Sequence, residues 1–165
     1  MTLRTAKILL VFGVAFYYTL VVFNNLTDYE SNYFFVQHTL NMDTTFPGNH
    51  GMWRAIHSPF WYTAFYWSII VWEMVIMALA WWGGMLMARQ IRGAAPAFNS
   101  AKRVAVSALA LSLLKWLIAF LAVGGEWFLF WQSKLWNGQD AAFRMFTVVG
   151  IVLLLVAQPD AEGQP

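Results

Sequence analysis

Apolar residues fall into four long runs, and polar residues gather between them. The first run covers about 5–26 and carries no charge over 8–23. The second, about 58–88, opens on Ser58, a good N-cap, and Pro59, whose missing N–H suits a first helical turn. The third, about 102–130, holds one charge, Lys115, within its apolar stretch 104–123. The fourth, about 141–157, is short, and Arg144 in its first turn can reach outward to headgroups. A helix rising 1.5 Å per residue needs about 20 apolar residues to cross a ~30 Å hydrocarbon layer. The pattern therefore predicts an all-α protein: a bundle of four transmembrane helices in a single integral membrane domain, followed by a short polar tail over 158–165. The first run follows Arg4 and Lys7, as a signal peptide would, but passes directly into Asn24-Asn25-Leu26-Thr27 without a small-x-small cleavage site, so a retained helix is expected.

Between the first two runs lies a loop, 27–57, with a helical pattern of its own. Ser31 or Asn32 can cap a short helix carrying Tyr33, Val36 and Leu40 on one face, expected to lie in the interface apolar side down. Phe46-Pro47-Gly48-Asn49 reads as a turn.

Composition strengthens the membrane reading. Apolar residues make up 60% of the 165 positions and charged residues 11%, against about 25% charged in a soluble domain. The net charge of +2 gives no basic patch dense enough for nucleic acid. Cysteine is absent, which excludes disulfides, thiolate metal sites and thiol redox chemistry. Basic residues also set an orientation. Arg4, Lys7, Arg89, Arg92, Lys102 and Arg103 fall on one side of the four spans, against Arg54, Lys134 and Arg144 on the other. The positive-inside rule then expects both termini in the cytoplasm.

Three ionisable residues fall within the spans: Glu73, Lys115 and Glu126. Each unsupported charge at mid-bilayer costs at least ~2.5–3.5 kcal/mol, so each is expected to face protein, water or another charge. On the third segment, steps of four and three residues read Ala101, Ala105, Ala108, Ser112, Lys115, Ala119, Ala122, Glu126. All are small except the two charged ones, which marks a packing face that includes Lys115 and Glu126. The second segment offers a looser counterpart through Tyr66, Glu73, Met77, Ala80 and Gly84. At 1.5 Å per residue Lys115 lies roughly 18 Å and Glu73 roughly 24 Å from the basic end. A direct pair, a water bridge and a protonated, hydrogen-bonded Glu73 all remain open. A proton or ion path through these residues is a further option. Glu126 follows Gly124-Gly125, where a bend is expected, and is expected to satisfy outer-loop donors such as indole N–H groups, Arg54 or Lys134.

Polar and aromatic residues concentrate at the other boundary. Asn24, Asn25, Asp28, Asn32, His38, Asp43, Trp127, Trp131, Gln132, Trp136 and Asn137 can form a hydrogen-bonded cap over the bundle, with an anchoring belt of aromatic rings or a docking surface as its two readings. His38, His50 and His57 lie outside the spans, so a haem held by two histidines between helices is not expected. Their spacing with Asp43 matches no metal-ligand signature, and no phosphate loop, nucleophile elbow or His-Glu-x-x-His motif is present. No cofactor is expected, although contact with lipid, quinone or pigment at the aromatic cap is compatible with the residues.

Asn24-Asn25-Leu26-Thr27-Asp28-Tyr29, Met42-Asp43-Thr44-Thr45-Phe46-Pro47, Gly124-Gly125-Glu126-Trp127-Phe128, and Trp131-Gln132-Ser133 with Trp136-Asn137-Gly138-Gln139 together resemble a bacterial family of predicted small integral membrane proteins, a domain of unknown function. The resemblance spans roughly 7–157 and implies the inner membrane; it implies no activity and no catalytic residues. The leading functional expectation is a non-catalytic accessory subunit packed against other integral membrane subunits. The alternatives are a small proton, ion or solute transporter using Glu73, Lys115 and Glu126, and a quinone- or lipid-binding protein at the outer interface.

Overall fold

The structure, a computed structural model, describes residues 2–161. Five helices follow one another: α1 (Leu3–Thr27), α2 (Tyr29–Asn41), α3 (Pro59–Arg89), α4 (Ala95–Leu114, continuing as a π-helix over Lys115–Trp127) and α5 (Gln139–Ala157). Four of them, α1, α3, the whole of α4 and α5, are long and apolar enough to cross a membrane. The shorter α2 lies in the first long loop, where the helical pattern of Tyr33, Val36 and Leu40 placed it; Val36, Thr39 and Leu40 are its buried face.

Three boundaries differ from the sequence reading, each for a local reason. Helix α2 starts at Tyr29, with Asp28 rather than Ser31 or Asn32 at the cap position, and the Ser31 hydroxyl donates to the Asp28 carboxylate at 2.8 Å. Helix α4 starts at Ala95, ahead of Lys102, because Pro96 falls in its first turn, where no intrahelical N–H is needed. Helix α5 starts at Gln139, whose N–H is capped by the Asn137 side chain at 2.9 Å, with Asp140 placed favourably in the first turn.

The chain folds as two compact units, and each long helix gives one segment to each. The first unit comprises residues to Val22, Glu73–Leu113 and Thr147 onward; the second comprises Phe23–Trp72 and Leu114–Phe146.

Small residues hold the first unit together. Ala15, Ala80 and Ala108 are fully buried and pack as one cluster with Leu79. A Cβ built on Gly83 would lie 2.5 Å from the Ala105 backbone nitrogen, so α3 and α4 meet there backbone to backbone. The adjacent Gly84 receives the Phe12 ring of α1. Two polar bonds fix the rotation of the helices: Tyr18 with Ser112 at 2.6 Å, and the Trp81 indole N–H to Thr19 at 2.9 Å. The Tyr18–Ser112 pair is buried and cannot exchange with water in its apolar surround, so it sets register more than it adds stability.

The second unit is built from rings. Tyr29 meets Tyr66 edge to face at 4.7 Å, and Phe35 contacts Phe120, Phe130 and Trp136. Gly124 makes room for Phe130, whose ring occupies the place a side chain there would take.

The π-helix changes which residues face inward. Its wider i→i+5 turns, closed at the end by the Phe128 N–H to the Val123 carbonyl at 2.9 Å, take in one more residue per hydrogen-bonded ring than the α-helix before it. The small-residue face therefore runs as expected through Ala105, Ala108, Ser112 and Lys115, all buried, and then breaks. Past Lys115 the buried residues are Trp116, Gly124 and Gly125, while Ala122 and Glu126 are exposed. The expected placement of Glu126 on the packing face is thus corrected: a spacing of four and three residues assumes α geometry, which ends at Leu114.

Candidate functional site

The three charges of the spans differ in burial. Glu73, in the first unit, and Lys115, in the second, are buried, whereas Glu126 is exposed. The Lys115 ammonium lies 3.8 Å from the centroid of the Trp116 ring and 5.4 Å from that of Phe120. Ring faces stabilise a desolvated cation, which contributes about 2 kcal/mol in such a setting. Glu126 contributes through its backbone: its carbonyl, with that of Trp127, accepts from the Arg54 guanidinium at 3.4 and 3.3 Å. Arg54 was one of three donors expected at Glu126, with indole N–H groups and Lys134.

All eleven residues expected to form the polar and aromatic cap belong to the second unit. They form several local networks instead of one. The buried Asn25 side-chain oxygen accepts from Asn32 at 2.7 Å and from the Tyr66 hydroxyl at 3.3 Å, which ties α1 to α2 and α3. Asp28 serves the start of α2, and Asn24 supplies a backbone carbonyl to the Asp28 N–H. His38 Nδ1 lies 2.8 Å from Asp43, and its ring stacks on Trp136 at 4.8 Å. Gln132 Oε1 accepts from the Phe46 N–H and the Asn49 amide, which fastens the Phe46–Pro47 turn. Trp131 meets Phe46 edge on and gives its carbonyl to Asn137, while Trp127 meets Trp53 edge to face at 5.8 Å. Sequence reading missed Asn41, which accepts from Tyr62 at 2.6 Å and pairs with His57, and Ser133, which accepts from Thr44 at 2.8 Å. Neither stands in a pattern distinguishable from ordinary loop polarity. Among the described residues, no group of three His, Asp or Glu side chains is placed to hold a metal ion.

The second unit contains a cavity of about 220 Å³. Phe35, Trp72, Phe120, Phe128 and Phe130 line it, with Thr39 and Ser68 as its two hydroxyl residues. Ser68 donates to the Phe65 carbonyl of its own helix at 2.7 Å. The Thr39 hydroxyl is buried and has no partner, an exception to the rule that buried polar groups are bonded. No charged side chain lines this cavity, so an uncharged occupant suits it. Its volume is below the roughly 300 Å³ at which small-molecule pockets begin, enough for one ring or a stretch of acyl chain.

The other polar centre lies in the first unit, where sequence reading expected only tail. Asp160, three residues beyond α5, is buried, and its Oδ2 accepts from Lys7 Nζ at 2.8 Å and Lys102 Nζ at 2.7 Å. Both lysines also donate to the Gln158 carbonyl, at 2.8 and 2.7 Å. Asn99 bonds the Asp160 backbone on both sides, and Arg4 Nε lies 3.9 Å from Oδ1. Burial by itself raises the Asp160 carboxyl, but the hydrogen bonds and charges of Lys102 and Lys7 outweigh it and hold the group below its ordinary 3.8. The expected polar tail is therefore a docked segment up to Asp160; residues 162–165 lie outside those described.

No curated protein and no solved structure matches this chain. A family model does, over residues 3–159, a span that includes all of the five helices. An all-helical fold with four membrane-length helices, a ring-built unit and a match of that extent lead to one conclusion: the chain belongs to the family of predicted small integral membrane proteins, DUF2165.

Proposed function

We propose that this protein acts by binding, from within the hydrocarbon layer, an uncharged ring or chain of a lipid or quinone in the cavity of the second unit. The observation that carries this is an apolar, largely aromatic wall with no charged side chain. Filling the cavity tests it. Ala119 lines the same space, and Ala119→Phe places a ring in it. Organic extracts of protein purified in mild detergent are expected to contain one lipid or quinone species in stoichiometric amount, reduced about tenfold in Ala119→Phe. Equal retention by a variant that keeps its helical circular dichroism would refute the assignment.

The accessory-subunit reading has its own support. Arg54 lies against both Trp53 and Trp127, at 5.3 and 5.1 Å from the ring centroids, and Trp53 is 72% exposed. Tryptophan and arginine are the residues on which interfaces concentrate their energy. A second integral membrane protein seated on these rings would be recovered stoichiometrically in a mild-detergent pull-down and lost with Trp53→Ala/Trp127→Ala. Recovery of the monomer or a homo-oligomer alone counts against it.

The same reading puts the chain in the inner membrane with both ends cytoplasmic. Arg4, Lys7, Arg89, Arg92, Lys102 and Arg103 all fall in the first unit, which supports the positive-inside assignment of that end. The chain has no cysteine, so single introduced cysteines report topology cleanly. Asn49→Cys is expected to react with an impermeant maleimide on spheroplasts and Gln90→Cys only after lysis; the reverse pattern inverts the topology.

A further inference from the structure

The Lys7–Lys102 centre carries more positive charge than its one carboxylate can balance. Lys7 and Lys102 have only 1% and 4% of their surface exposed, and both point at a single Asp160 oxygen, with Arg4 behind. Burying two ammonium groups against one carboxylate leaves net charge in a poorly solvated place, an arrangement that is unfavourable unless something further offsets it. Each ammonium has three N–H donors, of which Asp160 and the Gln158 carbonyl take two. One donor on each lysine remains beyond these bonds.

The occupant is also removable. Asp160 follows the end of α5 at Ala157, so it can leave without breaking a helix. Beyond its bonds to the two lysines, the paired Asn99 contact and the longer Arg4 approach hold it. The lysines themselves are fixed on helices, Lys7 near the start of α1 and Lys102 in the second turn of α4. What stays when the tail lifts is a preformed pair of cations near the starts of two membrane-length helices.

We propose that Lys7 and Lys102, with Arg4, form a binding site for a phosphate monoester, and that Asp160 is its built-in competitor. A phosphate monoester presents three acceptor oxygens and up to two negative charges, which matches two lysines and an arginine better than one carboxylate does. The tail carboxylate then keeps the cations paired when the anion is absent, and the anion releases the tail when it binds. This is independent of the cavity in the second unit, so failure of either assignment leaves the other standing.

The test uses the full chain in phosphatidylcholine nanodiscs, with dioleoyl phosphatidic acid and inorganic phosphate as separate probes and phosphatidylcholine alone as the blank. Melting temperature and native mass spectrometry report binding. Wild type is expected to bind phosphatidic acid, and Asp160→Asn to bind it about tenfold more tightly, because the competitor has lost its charge. Lys7→Gln/Lys102→Gln is expected to lose the response. Stabilisation by inorganic phosphate at millimolar concentration as well identifies a soluble phosphate as a source; response to phosphatidic acid alone identifies a lipid headgroup. If Asp160→Asn binds no more tightly than wild type, the competitor role is overturned. Should the double lysine variant fail to fold, the wild-type and Asp160→Asn comparison still decides, since it requires only intact lysines.

Discussion

Replacing Gly83 with alanine is expected to lower stability by about 2 kcal/mol, although alanine is the better helix former. The sign follows from two opposed magnitudes. Exchanging glycine for alanine in a helix favours the folded state by up to about 1 kcal/mol. The added methyl, however, would lie 2.5 Å from the Ala105 nitrogen and 2.7 Å from its Cα, distances that real Cβ atoms do not adopt. Overpacking typically costs 1–3 kcal/mol, and here the neighbour is backbone, which cannot rotate away as a side chain can. Helices α3 and α4 must separate within the first unit, and the packing of Ala80 and Ala108 loosens with them. Gly13→Ala is the internal control, because a Cβ there meets nothing within 4 Å and only the propensity gain remains. Unfolding in mixed micelles should show Gly13→Ala at or above wild type and Gly83→Ala clearly below. Equal stability of the two variants would mean that α3 and α4 do not approach as described.

The same contact shows why much of this fold was legible. Hydrocarbon requires continuous apolar helices, so the four spans are visible as runs of residues, and close packing requires small ones, so Ala105, Ala108 and Ser112 could be placed on one face. On the α3 face of Tyr66, Glu73, Met77, Ala80 and Gly84, Met77 is half-buried and the other four are buried. Legibility ended where backbone geometry changed. Within Lys115–Trp127, Phe120 packs on Trp116 and on Phe35, which is distant in sequence, and nothing in the segment announces a π-helix. Glu126 was misplaced for that reason alone. The start of α4, expected near 102, lies earlier because Pro96 sits in its first turn, and a proline marks a helix boundary without saying on which side the helix lies. The cap residues all fall in the second unit, but their partners, such as Asn41 with Tyr62, depend on long-range geometry.

Asp160 is the clearest case of a residue that sequence could not place, and removing it is expected to have the largest effect of any single substitution. In the sequence it stands in Gln158-Pro159-Asp160-Ala161-Glu162-Gly163, which reads as solvated tail. The available signal was indirect: Lys7 and Lys102 lie within membrane-length helices and require a counter-charge. Asp160→Ala leaves both buried ammonium groups without it, and loss of one partner from a buried ion pair costs about 3–5 kcal/mol. A destabilisation near 3 kcal/mol is expected, because the Gln158 carbonyl still accepts from both lysines if the tail stays in place. The effect should depend on the cations: Lys7→Met is expected to destabilise wild type but to cost less, or to stabilise, in the Asp160→Asn background, where one ammonium fewer relieves repulsion. The pH dependence has a definite sign. The carboxyl is held below its ordinary 3.8 in the folded state, so it contributes stability above that value and loses it as pH falls through the lower folded value. The stability gap between wild type and Asp160→Asn should therefore stay constant from pH 8 to about 5 and narrow only below about 4. A gap that closes between pH 6 and 8 would show that a group other than the Asp160 carboxylate sets the strength of the clasp.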